Sequence, residues 1–267
     1  MSGTETTRDV ISDRLSIAQH RKGFRFGLDA LLLATDLPEV TDGATVYELG
    51  AGQGAVSLSI SARRPGLRVV ACERQDGLFG LLESNIAENA RILGRVDAVK
   101  IDLQRFREEL EPHSAALVVC NPPYYPLGKR NPSSNEERAA AHHELYGGLD
   151  MFVSAAAYVL EHRGWFKVII PPWRLQDLVT AVTRVDLKVL SMRFFHADPT
   201  QDAYLVEVVC RRGGGPDLAV RAPLFVRGED GFYTDEVARR VAGAALADPG
   251  EDWIARVRER SLASRRS

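Results

Sequence analysis

Seven short apolar runs, each bounded by glycine, proline or polar residues, read as strands at 45–49, 68–72, 96–100, 116–120, 164–170, 188–195 and 203–211. Helical spacing of apolar positions fills the gaps. AVSLSISARR follows the first run and GLFGLLESNIAENARIL the second, while DMFVSAAAYVLEHR precedes the fifth and WRLQDLVTAVTRV follows it. Helical crossovers between strands imply a mostly parallel sheet covered on both faces. The last two runs are joined by HADPTQD, which holds no helix, so they predict an antiparallel hairpin at one end of the sheet. The fold class expected is α/β and Rossmann-like.

About forty residues precede the first run and include GFRFGLDALLLATDL, an apolar helix opened by a glycine-rich, basic stretch. After the seventh run come GGGP and APLFVRGEDGFYTDEVARRVAGAAL, where EDG reads as a tight turn and Thr234 as the N-cap of a final helix. The expected division is an N-terminal extension (1–43) packed over the ligand site, a core (44–212), a C-terminal extension with a final helix (213–250) and a basic tail (251–267) whose composition suits disorder. Neither extension is large enough to build a core alone.

Composition narrows the class. At 267 residues, 45% hydrophobic and 26% charged, the chain is an ordinary globular protein. No apolar run is long enough to span a bilayer and the first residues lack a signal-peptide core, so a cytoplasmic location is expected. Cys72, Cys120 and Cys210 sit in apolar strands without metal-ligand spacing, and no metal site is expected. A net charge of −2 does not announce a nucleic-acid binder. Locally, HRKGFRF (20–26), GKR (128–130) and the arginine-rich tail are basic enough to meet RNA or simply to be solvated surface.

The first strand runs into glycines at Gly50, Gly52 and Gly54, spaced GxGxG; there is neither a dinucleotide GxGxxG nor a P-loop lysine. Such glycines allow positive φ and close approach to a ligand. Glu48 precedes them, and a carboxylate there suits a cationic ligand group. Glu73 ends the second strand, nineteen residues beyond Gly54, where an acidic residue grips ribose hydroxyls. Asp102 follows the third strand and could address the exocyclic amine of a base. A nucleoside bearing an amino acid would use all three, and S-adenosylmethionine fits.

Asn121, Pro122, Pro123, Tyr124 and Tyr125 follow the fourth strand and face the same crevice. The lone pair of a nucleobase amine is delocalised into the ring. Two acceptors on its N–H groups would turn that lone pair toward a methyl donor. The Asn121 side-chain oxygen and the Pro122 carbonyl can be those acceptors. The prolines preset an extended backbone, and Tyr124 offers a stacking face. Catalysis would be mainly positioning of a flipped or single-stranded base.

With these residues in place, the chain resembles class I methyltransferases of the NPPY subgroup, and more closely the bacterial valine-tRNA adenine-N6 methyltransferase family. The resemblance spans roughly 24–242 and rests on FRFGLDALLLA, ELGAGQG, Glu73, NPPYY, AAAHHELYGGLDMFVSAA and APLFVRGEDGFYTDEV. It implies a seven-stranded sheet, S-adenosylmethionine as methyl donor, and transfer to adenine N6 in structured RNA, a tRNA by family. It implies Asn121 to Tyr124 as the catalytic motif and a segment with Gly27, Leu28 and Asp29 folded over the cofactor. The cofactor set is then Gly27, Asp29, Glu48, Gly50, Gly52, Gly54, Glu73, Asp102 and Asn121. The substrate set is Tyr124, Tyr125, Lys129, Arg130 and His143. One departure is His142, where such proteins carry arginine; a fractionally charged histidine bears on the substrate more than on the reaction. Alternatives stay open: methylation of a protein glutamine at N5, of another nucleobase amine in rRNA or DNA, or of a small molecule, and a non-catalytic RNA-binding protein that keeps the fold.

Overall fold

The computed structural model describes residues 5–11, 14–125 and 147–242. An antiparallel hairpin opens the chain, β1 (Thr6–Val10) with β2 (Ser16–His20), followed by α1 (Leu28–Leu33). Then come β3 (Thr45–Leu49), α2 (Ala55–Arg63), β4 (Arg68–Glu73), α3 (Asp76–Glu88), β5 (Arg95–Lys100), α4 (Phe106–Glu109) and β6 (Ala115–Cys120). After them follow α5 (Leu149–Val159), β7 (Leu160–Ile170), α6 (Leu175–Thr183), β8 (Leu187–His196) and β9 (Ala203–Arg212). Last are β10 (Ala219–Val220), β11 (Leu224–Phe225) and α7 (Asp235–Ala242).

The large sheet has the order β10-β8-β9-β7-β6-β3-β4-β5, with β11 also on β8. From β7 through β5 neighbours are parallel, and β9 is antiparallel to both β7 and β8. All seven strands expected from the apolar runs are present. The sheet counts nine because two two-residue strands, β10 and β11, add to β8. The expected hairpin is β8–β9, with β9 inserted between β8 and β7.

Alternating side chains explain why these runs are apolar throughout. In β6, Val118 and Cys120 pack with α5 and α6 on one face, whereas Leu117 and Val119 pack with α1, α2 and α7 on the other. Both faces are covered, so both parities must be apolar. The three cysteines are free and buried. Burial pushes the thiols of Cys72 and Cys210 up to about 12, so they act as packing groups.

The N-terminal hairpin is absent from the apolar-run pattern. TTRDV alternates polar side chains and carries no strand signal of its own. Its partner β2 is fixed from α3. Asn85 accepts from Ala18 N–H (2.8 Å) and donates to Ala18 C=O (2.9 Å), and Asn89 donates to Ser16 C=O (2.9 Å). Two asparagines one helical turn apart thus stand in for a neighbouring strand. Asn85 also donates to Gln53 C=O (2.9 Å), tying the hairpin to the glycine loop.

α1 has only six residues, too few to hold as an isolated helix. Its C-terminal end is fixed by Lys167, fully buried on β7. The ammonium donates to the carbonyls of Leu33 (3.2 Å), Thr35 and Asp36 (3.4 Å) and pairs with Glu207 (3.1 Å). Arg240 of α7 joins through Thr35 Oγ1 (3.0 Å), Asp36 (3.2 Å) and Glu207 (3.5 Å). A cation at the last carbonyls of a helix is favourable. The same contact fixes the position of the first turn, which carries Asp29.

Candidate active site

In this sheet the chain order reverses between β3 and β6, and ligands of open α/β folds sit at that point, beyond the carboxyl ends of the strands. A cleft with about 740 Å³ of open space lies there. Its walls include Gly50, Gly52, Glu73, Asp102 and Asn121, as the sequence places them, with Pro123. Its apolar surface comes from Phe24, Leu78, Ile101, Leu103 and Phe152.

The glycine loop is shaped by backbone need. Gly50 has φ +78° and its N–H, with that of Ala51, donates to Cys72 C=O (2.9 and 2.8 Å). Gly54 has φ +94°, and a Cβ there would meet Leu82 and Leu58 at 2.6 and 2.8 Å. Gly54 therefore serves the packing of α2 on α3 and does not line the cleft.

Glu73 is buried and accepts three backbone N–H groups, from Gly52, Arg74 and Gln75 (2.8, 2.8 and 2.7 Å). Burial raises its pKa, and those hydrogen bonds and Arg74 oppose the rise. Asp102 caps the following turn through Gln104 N–H (3.0 Å) and pairs with Arg74 Nε (2.9 Å). Burial pushes its carboxyl up, but Gln104 and Arg74 outweigh it and hold the pKa below the ordinary value.

Glu48 lies elsewhere. It shares a strand face with Val46, under α2, and so its carboxylate meets the helix N-terminus. Ser57 N–H donates to it (2.8 Å), as does the Ser57 hydroxyl. Burial raises its pKa to about 8. Glu48 does not line the cleft; it ties strand end to helix start.

Asn121 joins the cleft to a second cavity lined by Leu28, Asp29, Tyr124, Tyr125, Pro171, Trp173, Tyr204 and Leu205. Asn121 Nδ2 donates to Asp29 Oδ2 (2.9 Å), and the Tyr124 hydroxyl lies 2.9 Å from that oxygen and 2.8 Å from Asn121 Oδ1. Flipping the amide would set oxygen against carboxylate, so the network fixes its orientation. Burial raises the Tyr124 pKa well above 10, with the Asp29 charge adding to it, so the phenol stays protonated. One hydroxyl proton faces two acceptors, and the carboxylate is the stronger. The Asn121 carbonyl oxygen, with two lone pairs, thus has at most a share in this one proton among the described residues. Asp29 belongs to this cluster rather than to the cleft wall. Gly27 precedes α1 as its N-cap, close to the Asp29 carboxylate.

Phe24, Arg74, Phe152 and Trp173 are wall residues absent from the candidate site set, although Phe24 and Phe152 lie within stretches that carry the family resemblance. Phe24 lies within HRKGFRF, the basic stretch left open between an RNA contact and solvated surface, and its ring lines the cleft. Lys129, Arg130, His142, His143 and the tail lie outside the described residues. Among the described residues no cluster of His, Cys, Asp or Glu could hold a metal ion, and no helix is long and apolar enough to cross a membrane.

Strand order, glycine loop and acidic strand ends are those of a class I, S-adenosylmethionine-dependent methyltransferase. A family model for the methyltransferase small domain matches residues 26–170, and the chain belongs to that family. Two relatives carry the name tRNA1(Val) (adenine(37)-N6)-methyltransferase. One, from Flavobacteriaceae bacterium (strain 3519-10), is 30% identical over 158 residues, 59% of this chain and 64% of its own length. The other, from Flavobacterium psychrophilum, is 25% identical over 189 residues, 71% and 79% of the two chains. The chain thus spans less than two thirds of the first of these. Among solved structures, a predicted O-methyltransferase from Agrobacterium tumefaciens superposes with TM-score 0.67 at 22% identity, over 82% of this chain and 97% of its own. TYW2 of M. jannaschii in complex with AdoMet gives 0.51 at 14%, over 79% and 88%. These likenesses speak to fold.

The cleft fits the cofactor on its own evidence. A Cβ on Gly50 would approach Phe152 to 3.3 Å, so the glycine leaves room that a side chain would fill. Carboxylates sit beside apolar walls, acceptors for ribose hydroxyls next to faces for a base.

Proposed function

We propose that the protein methylates the exocyclic N6 amine of an adenine in RNA, a tRNA being the substrate class that the relatives' names favour. The observation that carries this reading is the Asp29–Asn121–Tyr124 cluster between the two cavities. Asn121 Oδ1 has two lone pairs and faces one hydroxyl proton, which it shares with Asp29, so an amine N–H entering from the aromatic cavity would complete the network.

The cofactor, when bound, supplies an electrophilic methyl on a sulfonium sulfur. Glu73 would hold the ribose hydroxyls and Asp102 the base amine, with Ile101, Leu103 and Leu78 against the purine faces. Gly50 and Gly52 would let the amino-acid end approach the backbone. Asn121 Oδ1 and the Pro122 carbonyl would accept hydrogen bonds from the two amine N–H groups and aim the nitrogen lone pair at the cleft, and the one proton displaced on methylation would leave to water. Asp29 orients Asn121 and does not contact the reacting atoms. The arrangement needs no covalent intermediate, and orientation supplies the rate.

The test is incubation with methyl-labelled S-adenosylmethionine and total small RNA, followed by digestion to nucleosides. Label in N6-methyladenosine is expected. Label on protein glutamine, on another base or on a small molecule instead would replace the reading.

A further inference from the structure

Of the eight described residues around the second cavity, four are aromatic (Tyr124, Tyr125, Trp173 and Tyr204), against 7% of the whole chain. Trp173 is 45% exposed and Tyr204 41%. A large ring left this open forgoes burial that the core would give it. Trp173 is nonetheless held in place. The Tyr125 ring stacks on it with centroids 5.7 Å apart and planes at 26°. The Arg174 guanidinium lies 5.6 Å from its centroid. Arg174 is itself buried, donating to Tyr124 C=O and to Asp177, both at 2.8 Å. Pro171 and Pro172 fix the backbone leading into the turn.

Tyr124 reaches Asn121 through its hydroxyl, Tyr125 is the next residue, and Trp173 lies one stacked ring beyond. Among the described residues no cation lines the cavity. A flat, pre-ordered aromatic face takes any nucleobase. We propose that Trp173, backed by Tyr125 and held by Arg174, is a stacking platform for the nucleobase adjoining the methylated one in a single-stranded stretch of RNA. Tyr204, whose phenol burial raises to about 12, lines the same cavity as an uncharged ring. The proposal rests on the RNA reading above and assigns a second base site to it.

The experiment uses the full chain and two short single-stranded RNAs with one central adenine. One is intact and the other is abasic on both sides of that adenine. Wild type is expected to bind the intact oligomer about 5- to 150-fold more tightly, the range that one stacked base supplies. Trp173→Ala should bind both alike, Trp173→Phe should keep most of the preference, and all three proteins should bind S-adenosylhomocysteine equally. Three results would overturn the platform: a preference that survives Trp173→Ala, equal weakening of both oligomers by that variant, or no preference in wild type. The readout is binding, so it separates from the activity. Base preference without N6-methyladenosine would refute the activity alone, and methylation without any Trp173 effect would refute the platform alone.

Discussion

Replacing Asp29 by alanine separates two roles for this residue. The family resemblance implies a place over the cofactor, whereas the structure sets its carboxylate on Asn121 Nδ2 at 2.9 Å, away from the cleft wall. In the variant the Asn121 amide loses its charged partner and keeps the Tyr124 hydroxyl, which can donate to the amide oxygen or accept from the amide nitrogen and so holds either orientation. The flipped orientation presents N–H to an amine N–H, which repels. A hydrogen bond to a charged partner contributes about 1.5–3 kcal/mol. Each 1.36 kcal/mol in the barrier is a factor of ten. If the bond acts only on orientation, kcat at saturating donor and RNA should fall about 10- to 150-fold, with the dissociation constant for S-adenosylmethionine changed less than about twofold. Asp29→Asn keeps a carbonyl acceptor for Asn121 and should recover much of the loss. Methyl incorporation into RNA gives kcat, and calorimetry gives cofactor affinity. Unchanged kcat in Asp29→Ala would refute the orienting role. Weakened cofactor binding with kcat restored at saturation would return Asp29 to the cofactor site.

Other outcomes follow from the buried charges. Lys167→Met strips a donor from three carbonyls and leaves Glu207 with Arg240 alone, so the urea midpoint should drop by the equivalent of about 3–5 kcal/mol. Adding Glu207→Gln should restore part of it, and an unshifted midpoint in the single variant would contradict the buried network. For Glu48 the folded-state pKa of about 8 lies above the ordinary 4.5, so folding takes up a proton between them. The stability tied to that proton is complete below pH 4.5 and is lost as pH rises through about 8. Glu48→Gln should flatten the decline in urea midpoint from pH 5 to pH 9, and parallel curves for the two proteins would show that Glu48 is ionised throughout.

The central strands were readable because burial on both sheet faces forces every position to be apolar, which leaves a run with sharp ends. Those ends fixed where ligand groups could emerge, and Gly50, Gly52, Glu73, Asp102 and Asn121 follow from them. The same logic misplaced Glu48. A strand-end carboxylate can face the cleft or the neighbouring helix, and parity with Val46 turned it under α2. Lys167 was unremarkable in GWFKVII, since a lysine in a strand ordinarily marks a solvated position. Its burial depends on carbonyls more than a hundred residues away. The β1–β2 hairpin escaped because its backbone partners are side chains of a helix, a pairing with no period to detect.

What the sequence lacked at the site was adjacency. Asp29 and Asn121 are 92 positions apart, and Arg174 and Tyr124 are 50 apart. Each pair bridges different elements. The NPPY stretch by itself offers an amide oxygen and a carbonyl, but an amide that can rotate is as good a donor as an acceptor. Only a fixed anion behind the nitrogen makes the oxygen face the substrate. That anion sits on a six-residue helix whose far end is held by the Lys167 ammonium. If the proposed amine clamp operates, its polarity would therefore depend on a buried cation on β7 as well as on the motif. A chain with the same four motif residues but an apolar side chain at 167 would keep the clamp's atoms and lose the constraint on which of them points outward.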